Sequence, residues 1–173
     1  VEKLRQFCRE RQLPCSIVPE QLLDGMRIAS THIRSLLEAG EMAQAVRFLG
    51  HPHFITGTVV SGRGLGHTIG IPTANVQLPE GLLVPRFGVY ACRAVIDGKA
   101  YPAVTNVGTR PTFTDADIVS VESHLLDFSG DIYGHEASVE FLKYLRPERG
   151  FTDGDALRSQ IAKDIQQALA YRG

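Results

Sequence analysis

Residues 57–75 read Gly57-Thr-Val-Val-Ser-Gly62-Arg-Gly64-Leu-Gly66-His67-Thr-Ile-Gly70-Ile71-Pro72-Thr73-Ala-Asn75. The stretch opens as a strand, because Ile55, Thr58, Val59 and Val60 are β-branched and fit a pleated surface. It then loses its side chains at Gly62, Gly64, Gly66 and Gly70. Glycines permit positive φ and let a ligand approach main-chain N–H groups, and a run of such groups forms a concavity that attracts phosphate. An ordinary turn explains the same glycines. The stretch closes on Pro72, which fixes its own φ and biases Ile71 toward an extended shape. Thr73 and Asn75 then present a hydroxyl and an amide carbonyl, hard oxygen donors of the kind Mg²⁺ accepts beside nucleotide phosphates. The loop is not a P-loop, since no Gly-Lys-Ser/Thr ends it. Nor does it match the dinucleotide fingerprint, and no helical pattern follows.

The periodicity changes around this stretch. Upstream it is helical. Residues 2–12 carry Leu4, Phe7 and Cys8 at helical spacing before Pro14. Ser16, Ile17 and Val18 predict a short strand ended by Pro19, so the opening reads as a fragment of an α/β unit. Ser30 or Thr31 is expected to cap a helix with Ile33, Leu36 and Leu37 inward, ended by Gly40. A second short helix turns Met42, Ala45, Val46 and Leu49 to one side and stops at Gly50. The pair reads as a helical hairpin linking two domains. The alternative is that Ser30, Thr31 and Arg34 face nucleotide phosphates at a helix N-terminus. His51 and His53, around a proline and without a carboxylate or thiol cluster, read as linker.

From Phe54 onward the pattern is β. Residues 89–96 form a strand, Asp97-Gly98 is a two-residue hairpin turn, and residues 99–105 are its partner. Pro102 argues for an edge or a bulge there. Further strands are expected at 118–126 and 136–142. Short strands separated by Gly, Pro, Asp and Asn predict an antiparallel barrel. In the tail, Thr152 and Asp155 suggest a capping-box variant. Leu157, Ile161, Ile165 and Leu169 would line the buried face of a long helix against the barrel wall.

The totals of the 173 residues are ordinary: 43% hydrophobic, 21% charged and a net charge of −1. That balance excludes a disordered chain and argues against a general nucleic-acid surface. No apolar run approaches membrane-spanning length. No signal peptide is visible; the chain begins at Val1 without a Met, and an upstream part is expected to be missing. Cys8, Cys15 and Cys92 lack metal-site spacing and read as reduced thiols of a cytoplasmic protein.

A second informative stretch runs from Val121 to Gly134. On a strand, Ser120, Glu122, His124 and Leu126 share one face and Val119, Val121, Ser123 and Leu125 the other. Glu122 is readable as a solvated strand glutamate. The apolar run around it favours a carboxylate with a partner or a task. Asp127 and Asp131, beside Gly130 and Gly134, read as turn residues. Arg110, in Asn106-Val-Gly-Thr-Arg-Pro-Thr112, is either solvated or aimed at a phosphate, for which its planar fork is suited.

Together these stretches resemble the riboflavin kinase module of bacterial bifunctional riboflavin kinase/FMN adenylyltransferases. The carrying motifs are Gly70-Ile-Pro-Thr-Ala-Asn75, Asn106-Val-Gly-Thr-Arg-Pro-Thr112, Glu122-Ser-His-Leu-Leu-Asp-Phe128, Gly130-Asp-Ile-Tyr-Gly134 and Tyr144-Leu-Arg146. Residues 28–34 are similar to the second phosphate-binding signature of the adenylyltransferase module. The resemblance implies two parts: residues 1–50 as the end of that module with linker helices, and residues 51–173 as a kinase domain. It implies a mainly β fold, a six-stranded antiparallel Greek-key barrel with a long C-terminal helix. The implied reaction is transfer of the ATP γ-phosphoryl group to the riboflavin 5′-hydroxyl, giving FMN and ADP, with Mg²⁺ accompanying ATP. By position, Thr73 and Asn75 would hold Mg²⁺ and ATP phosphate. Glu122 would be the general base, and Gly62, Gly64, Gly66, Gly70 and Pro72 would cover the nucleotide, with Arg110 near a phosphate. Any self-association would run through the missing domain. The chain departs from the family at His67, where arginine is common; this bears on the charge of the loop, not on the reaction class. The alternative is a flavin- or nucleotide-binding barrel without catalysis.

Overall fold

The computed structural model describes residues 1–61, 73–79, 81–110, 118–151 and 153–171, with Arg110 described by its backbone. Gly62, Gly64, Gly66, His67, Gly70 and Pro72 of the glycine-rich loop lie outside the described residues, as does Thr152.

The first part is helical. Helix α1 (Glu2–Glu10) is followed by a two-residue hairpin, β1 (Leu22–Leu23) and β2 (Met26–Arg27), then α2 (Ser30–Ala39) and α3 (Met42–Leu49). The strand expected at residues 16–18 does not form. Val18 is 80% exposed, and among the described residues no strand pairs with it. The start of α2 also differs from expectation. Its N-cap is Ala29, with no side-chain cap, and Ser30 is already helical. Gly40 and Gly50 close α2 and α3 in the left-handed conformation, as their positions suggested. Leu36, Leu37, Met42, Ala45 and Phe48 are buried, and α3 packs on the barrel strands β3 and β8.

Six strands make the barrel: β3 (His53–Val60), β4 (Ala74–Val76), β5 (Gly88–Ile96), β6 (Lys99–Arg110), β7 (Ile118–Leu125) and β8 (Glu136–Arg146). They close in the order β3-β4-β7-β6-β5-β8, every pairing antiparallel. The run β5-β6-β7 is a meander, and β8 returns beside β5, which is a Greek key. Asp97 and Gly98, both at positive φ, make the tight β5–β6 turn. Pro102 pairs with Arg93 of β5 but sits just outside the β6–β7 register, which begins at Ala103 opposite Leu125. Its missing N–H therefore costs no bond to β7. Strand β8 carries two extra residues against β5, so the register shifts twice and the strand bends.

Ile55, Val59, Tyr90, Val107, Val121, Val139 and Phe141 fill the barrel, each at most 1% exposed. Helix α4 (Gly154–Ala170) packs outside it against β5 and β6. Its cap is Asp153, whose side chain accepts from the Ala156 N–H. Its fully buried residues are Gln160, Asp164 and Ala168; of the expected apolar stripe Leu157, Ile161 and Ile165 are half-buried, with Ile165 packed on the outer barrel cluster, and Leu169 is 52% exposed. Leu157 and Ile161 are only half-buried because they roof a cavity.

Candidate active site

The barrel register puts six residues into one outward-facing row across the strands. Val60 pairs with Asn75, Asn75 with Glu122, Glu122 with Asn106, Asn106 with Val89, and Val89 with Arg146. Direct cross-strand partners share a face. The row is flanked by inward ones. Val59, Val76, Val121 and Val107 lie to one side, and Ala74, Ser123, Thr105 and Tyr90 to the other, all buried. Alternation with the pleat thus forces Asn75, Glu122 and Asn106 outward. A slip of one residue would send Glu122 into the apolar interior.

Between this wall and α4 lies a cavity of about 290 Å³. Its floor is Val89 and Val104, and Phe151, Leu157 and Ile161 lie over it. One polar margin consists of Thr73, Asn106, Glu122 and His124. The shape is that of a slot, apolar above and below with carboxylate and hydroxyl groups along an edge. A second hollow of about 450 Å³ opens at the barrel end beside Phe128, Gly130, Asp131, Ile132 and Tyr133. Thr73 lines both hollows and stands at their border.

The far end of the slot is held by charge. Asp164 is 1% exposed and accepts two parallel bonds from Arg146, 3.0 Å from Nε and 2.8 Å from Nη2. Gln160 Nε2 donates to the same carboxylate at 2.7 Å, and Arg149 donates to Gln160 Oε1. Nearby, Asn106 Nδ2 donates to Glu148 Oε1 at 2.8 Å. Asp127 takes positive φ, and Asp131 accepts from the Tyr133 N–H, so both are turn residues as their sequence suggested.

Two other acidic protons near the barrel axis are unsuited to base chemistry. Burial pushes the Cys92 thiol up to about 12 and the Tyr90 phenol well above its ordinary value, so both stay protonated at neutral pH. Among the described residues no group of three or more His, Cys, Asp or Glu side chains is placed to hold a metal. The oxygen donors at hand are Thr73 and Asn75. Asn75 lies opposite Glu122 on the ladder, and Thr73, just before β4, lines the same cavity as Glu122. Hard neutral oxygens of this kind fit Mg²⁺ that brings phosphate oxygens of its own.

Thr73, Asn75 and Glu122, chosen from sequence, are thus neighbours. Asn75 is buried in the wall and Glu122 opens to the cavity. Arg110 ends β6 opposite Ile118, two rungs from Gly108. Sequence reading missed Glu148, Arg149, Phe151 and Asp164. Their signal was present: a charged run directly after β8, and polar residues at positions 160 and 164 where an amphipathic helix should bury apolar ones.

The sequence pattern of the riboflavin kinase (flavokinase) family matches residues 49–172. The bifunctional riboflavin kinase/FMN adenylyltransferase of Bacillus subtilis is 40% identical over 159 residues, 91% of this chain and 50% of that protein. The protein of the same name from Haemophilus influenzae is 41% identical over 172 residues, 99% of this chain and 51% of its own length. The chain therefore spans about half the length of the curated relatives it matches. Among solved structures, one described as riboflavin kinase from Trypanosoma brucei aligns with a TM-score of 0.50 at 25% identity, covering 66% of this chain and 73% of that one. Another, described as a macrolide-efflux protein from Streptococcus pneumoniae, aligns with a TM-score of 0.86 at 32% identity, over 99% of this chain and 55% of that one.

Proposed function

The chain belongs to the riboflavin kinase family, and on that premise we propose that it transfers the γ-phosphoryl group of ATP to the 5′-hydroxyl of riboflavin. The observation that carries the reading is Thr73, which lines both hollows. One hollow is a slot with apolar faces and Glu122 at its edge, suited to a planar ring system with an alcohol on its side chain. The other opens beside the glycine-containing turn at residues 128–134 and is assigned to the nucleotide. The two substrates then meet at Thr73.

Phosphoryl transfer asks mainly for positioning and charge neutralisation. Glu122 accepts the proton of the 5′-hydroxyl as the new O–P bond forms, and the bond from the γ-phosphorus to the β,γ-bridging oxygen breaks, releasing ADP. Thr73 and Asn75 would hold Mg²⁺ together with ATP, and the ion would offset phosphate charge. With a flavin ring between them, the apolar floor and roof would limit the access of water to the phosphoryl group.

The division into residues 1–50, as the end of an adenylyltransferase module, and residues 51–173, as the kinase, is part of the same proposal. It is supported by relatives whose printed names carry both activities.

The test is incubation of the purified chain with riboflavin and Mg-ATP, followed by chromatography for FMN. Folded protein that forms no FMN overturns the kinase reading. Flavin binding without turnover would favour a binding barrel instead.

A further inference from the structure

Asn106 faces Glu122 directly across the β6–β7 ladder, and both line the cavity. An asparagine amide has a donor end and an acceptor end, and an exposed one turns over freely. Here it is fixed. Asn106 Nδ2 donates to Glu148 Oε1 at 2.8 Å. A carboxylate only accepts, so the NH₂ group must face Glu148, and the carbonyl Oδ1 must face the other way.

The place of Glu148 is itself built. Gly108, two residues from Asn106 on the same face of β6, has no Cβ. A Cβ there would stand 2.1 Å from Glu148 Oε1 and 2.5 Å from its Cδ. The carboxylate lies where any other residue at position 108 would exclude it. Glycine, glutamate and asparagine thus form one arrangement whose outcome is a single orientation of the Asn106 amide.

We infer that Glu148 is a positioning residue that turns the Asn106 carbonyl toward the cavity beside Glu122, as the acceptor for a hydroxyl on the polyol side chain of the flavin. The inference rests on the riboflavin reading of the slot. It adds a division of labour: Glu122 takes the proton of the reacting hydroxyl, and Asn106 orients a neighbouring hydroxyl that does not react. Glu148 acts through Asn106.

The experiment compares riboflavin with lumiflavin, which has the same ring system and no polyol, by flavin fluorescence titration of the wild type and of Glu148→Ala, Gly108→Ala, Asn106→Ala and Asn106→Ala/Glu148→Ala. Loss of one hydrogen bond to the substrate is expected to raise the riboflavin Kd and KM about 5-fold to 10-fold. Lumiflavin Kd and ATP KM should stay within about 2-fold of wild type on the same reasoning. The double variant should bind riboflavin no worse than Asn106→Ala, because the two side chains act as a unit. The side-chain amide signals of Asn106 in the NMR spectrum of the free protein should shift in Glu148→Ala and Gly108→Ala. Additive losses, an equal loss for lumiflavin, unchanged riboflavin affinity or unmoved amide signals would overturn the inference. Thermal melting checks that each variant is folded. A wild type that binds riboflavin without forming FMN defeats the kinase reading alone; one that binds no riboflavin defeats both.

Discussion

Asn75 and Glu122 stand directly opposite one another on β4 and β7. The residue assigned to the metal and phosphate and the residue assigned to the proton therefore occupy one rung. Their spacing is set by a backbone ladder rather than by loops. Placement on regular strands limits the misplacement, on the order of 1 Å, that can cost about 10² in rate.

The first prediction concerns Asn75→Ala. Asn75 is 7% exposed. If its side-chain oxygen serves the Mg-ATP unit, the variant should bind nucleotide more weakly and turn over more slowly. Added Mg²⁺ should recover part of both. Steady-state kinetics beside thermal melting decides the matter. A lower melting temperature with unchanged kinetics of the folded fraction would reduce Asn75 to a structural residue.

The second concerns the Arg146–Asp164 pair, which ties α4 to the end of β8. Asp164 is 1% exposed and Arg146 17% in its side chain. Removing one partner of such a pair strands the other charge, at a cost of about 3–5 kcal/mol. Asp164→Ala should therefore lower Tm by roughly 6–20 °C for a chain of this size. Replacing both residues, in Arg146→Met/Asp164→Leu, should restore most of that loss, because no charge is left buried. A double variant as unstable as the single one would show that the pair is not the cause.

The third follows from His53. Its Nε2 lies 3.1 Å from the Leu83 carbonyl and its ring stacks on Phe141. Burial lowers its pKa from the model-peptide value of 6.5, against the raising effect of the Leu83 bond. The unfolded chain then binds the proton more readily than the folded one. Stability contributed by neutral His53 is complete above about pH 6.5 and declines as the pH falls below it toward the lowered value. Denaturant titrations from pH 8 to pH 5 should show this decline, and His53→Gln should flatten it. Identical pH slopes in the two proteins would remove His53 from the account.

The barrel was legible because β-branched alternation, the Asp97-Gly98 turn and the proline positions are local signals, and local signals fix strands. The row of Val60, Asn75, Glu122, Asn106, Val89 and Arg146 was not, since register is a property of pairs far apart in sequence. Helix α4 is legible, and Leu157, Ile161 and Ile165 of its stripe do face the barrel side, half-buried, while Leu169 does not. Its pattern of Leu157, Ile161, Ile165 and Leu169 is sound for packing against a closed wall. The observed wall is partly a cavity, so Leu157 and Ile161 roof it while Asp164 anchors Arg146. Residues 16–18 differ for the complementary reason: their composition suits a strand, but among the described residues no strand pairs with them. Glu122 is singled out by its motif, and the structure adds its neighbours Asn75 and Asn106.

The last prediction concerns Glu122 itself. Glutamine keeps the size and hydrogen-bond reach of glutamate but cannot take a proton from an alcohol at neutral pH. A general base typically contributes roughly 10²–10⁴-fold to rate, so Glu122→Gln should lower kcat by about that range. Riboflavin and ATP affinity should stay within a few-fold, because the side chain still fills its place in the row between Asn75 and Asn106. The variant should fold, since it loses a charge and keeps its volume. Glu122→Asp should fail as well: its carboxylate retreats by about one methylene, and misplacement on the order of 1 Å can cost about 10² in rate. The pair of variants separates chemistry from distance, because Gln keeps reach without basicity and Asp keeps basicity without reach. Single-turnover measurements with saturating Mg-ATP isolate the transfer step from product release. Should Glu122→Gln transfer the phosphoryl group at the wild-type rate, the proton must go elsewhere. His124, two residues along the same strand face and lining the same cavity, is then the group to replace next.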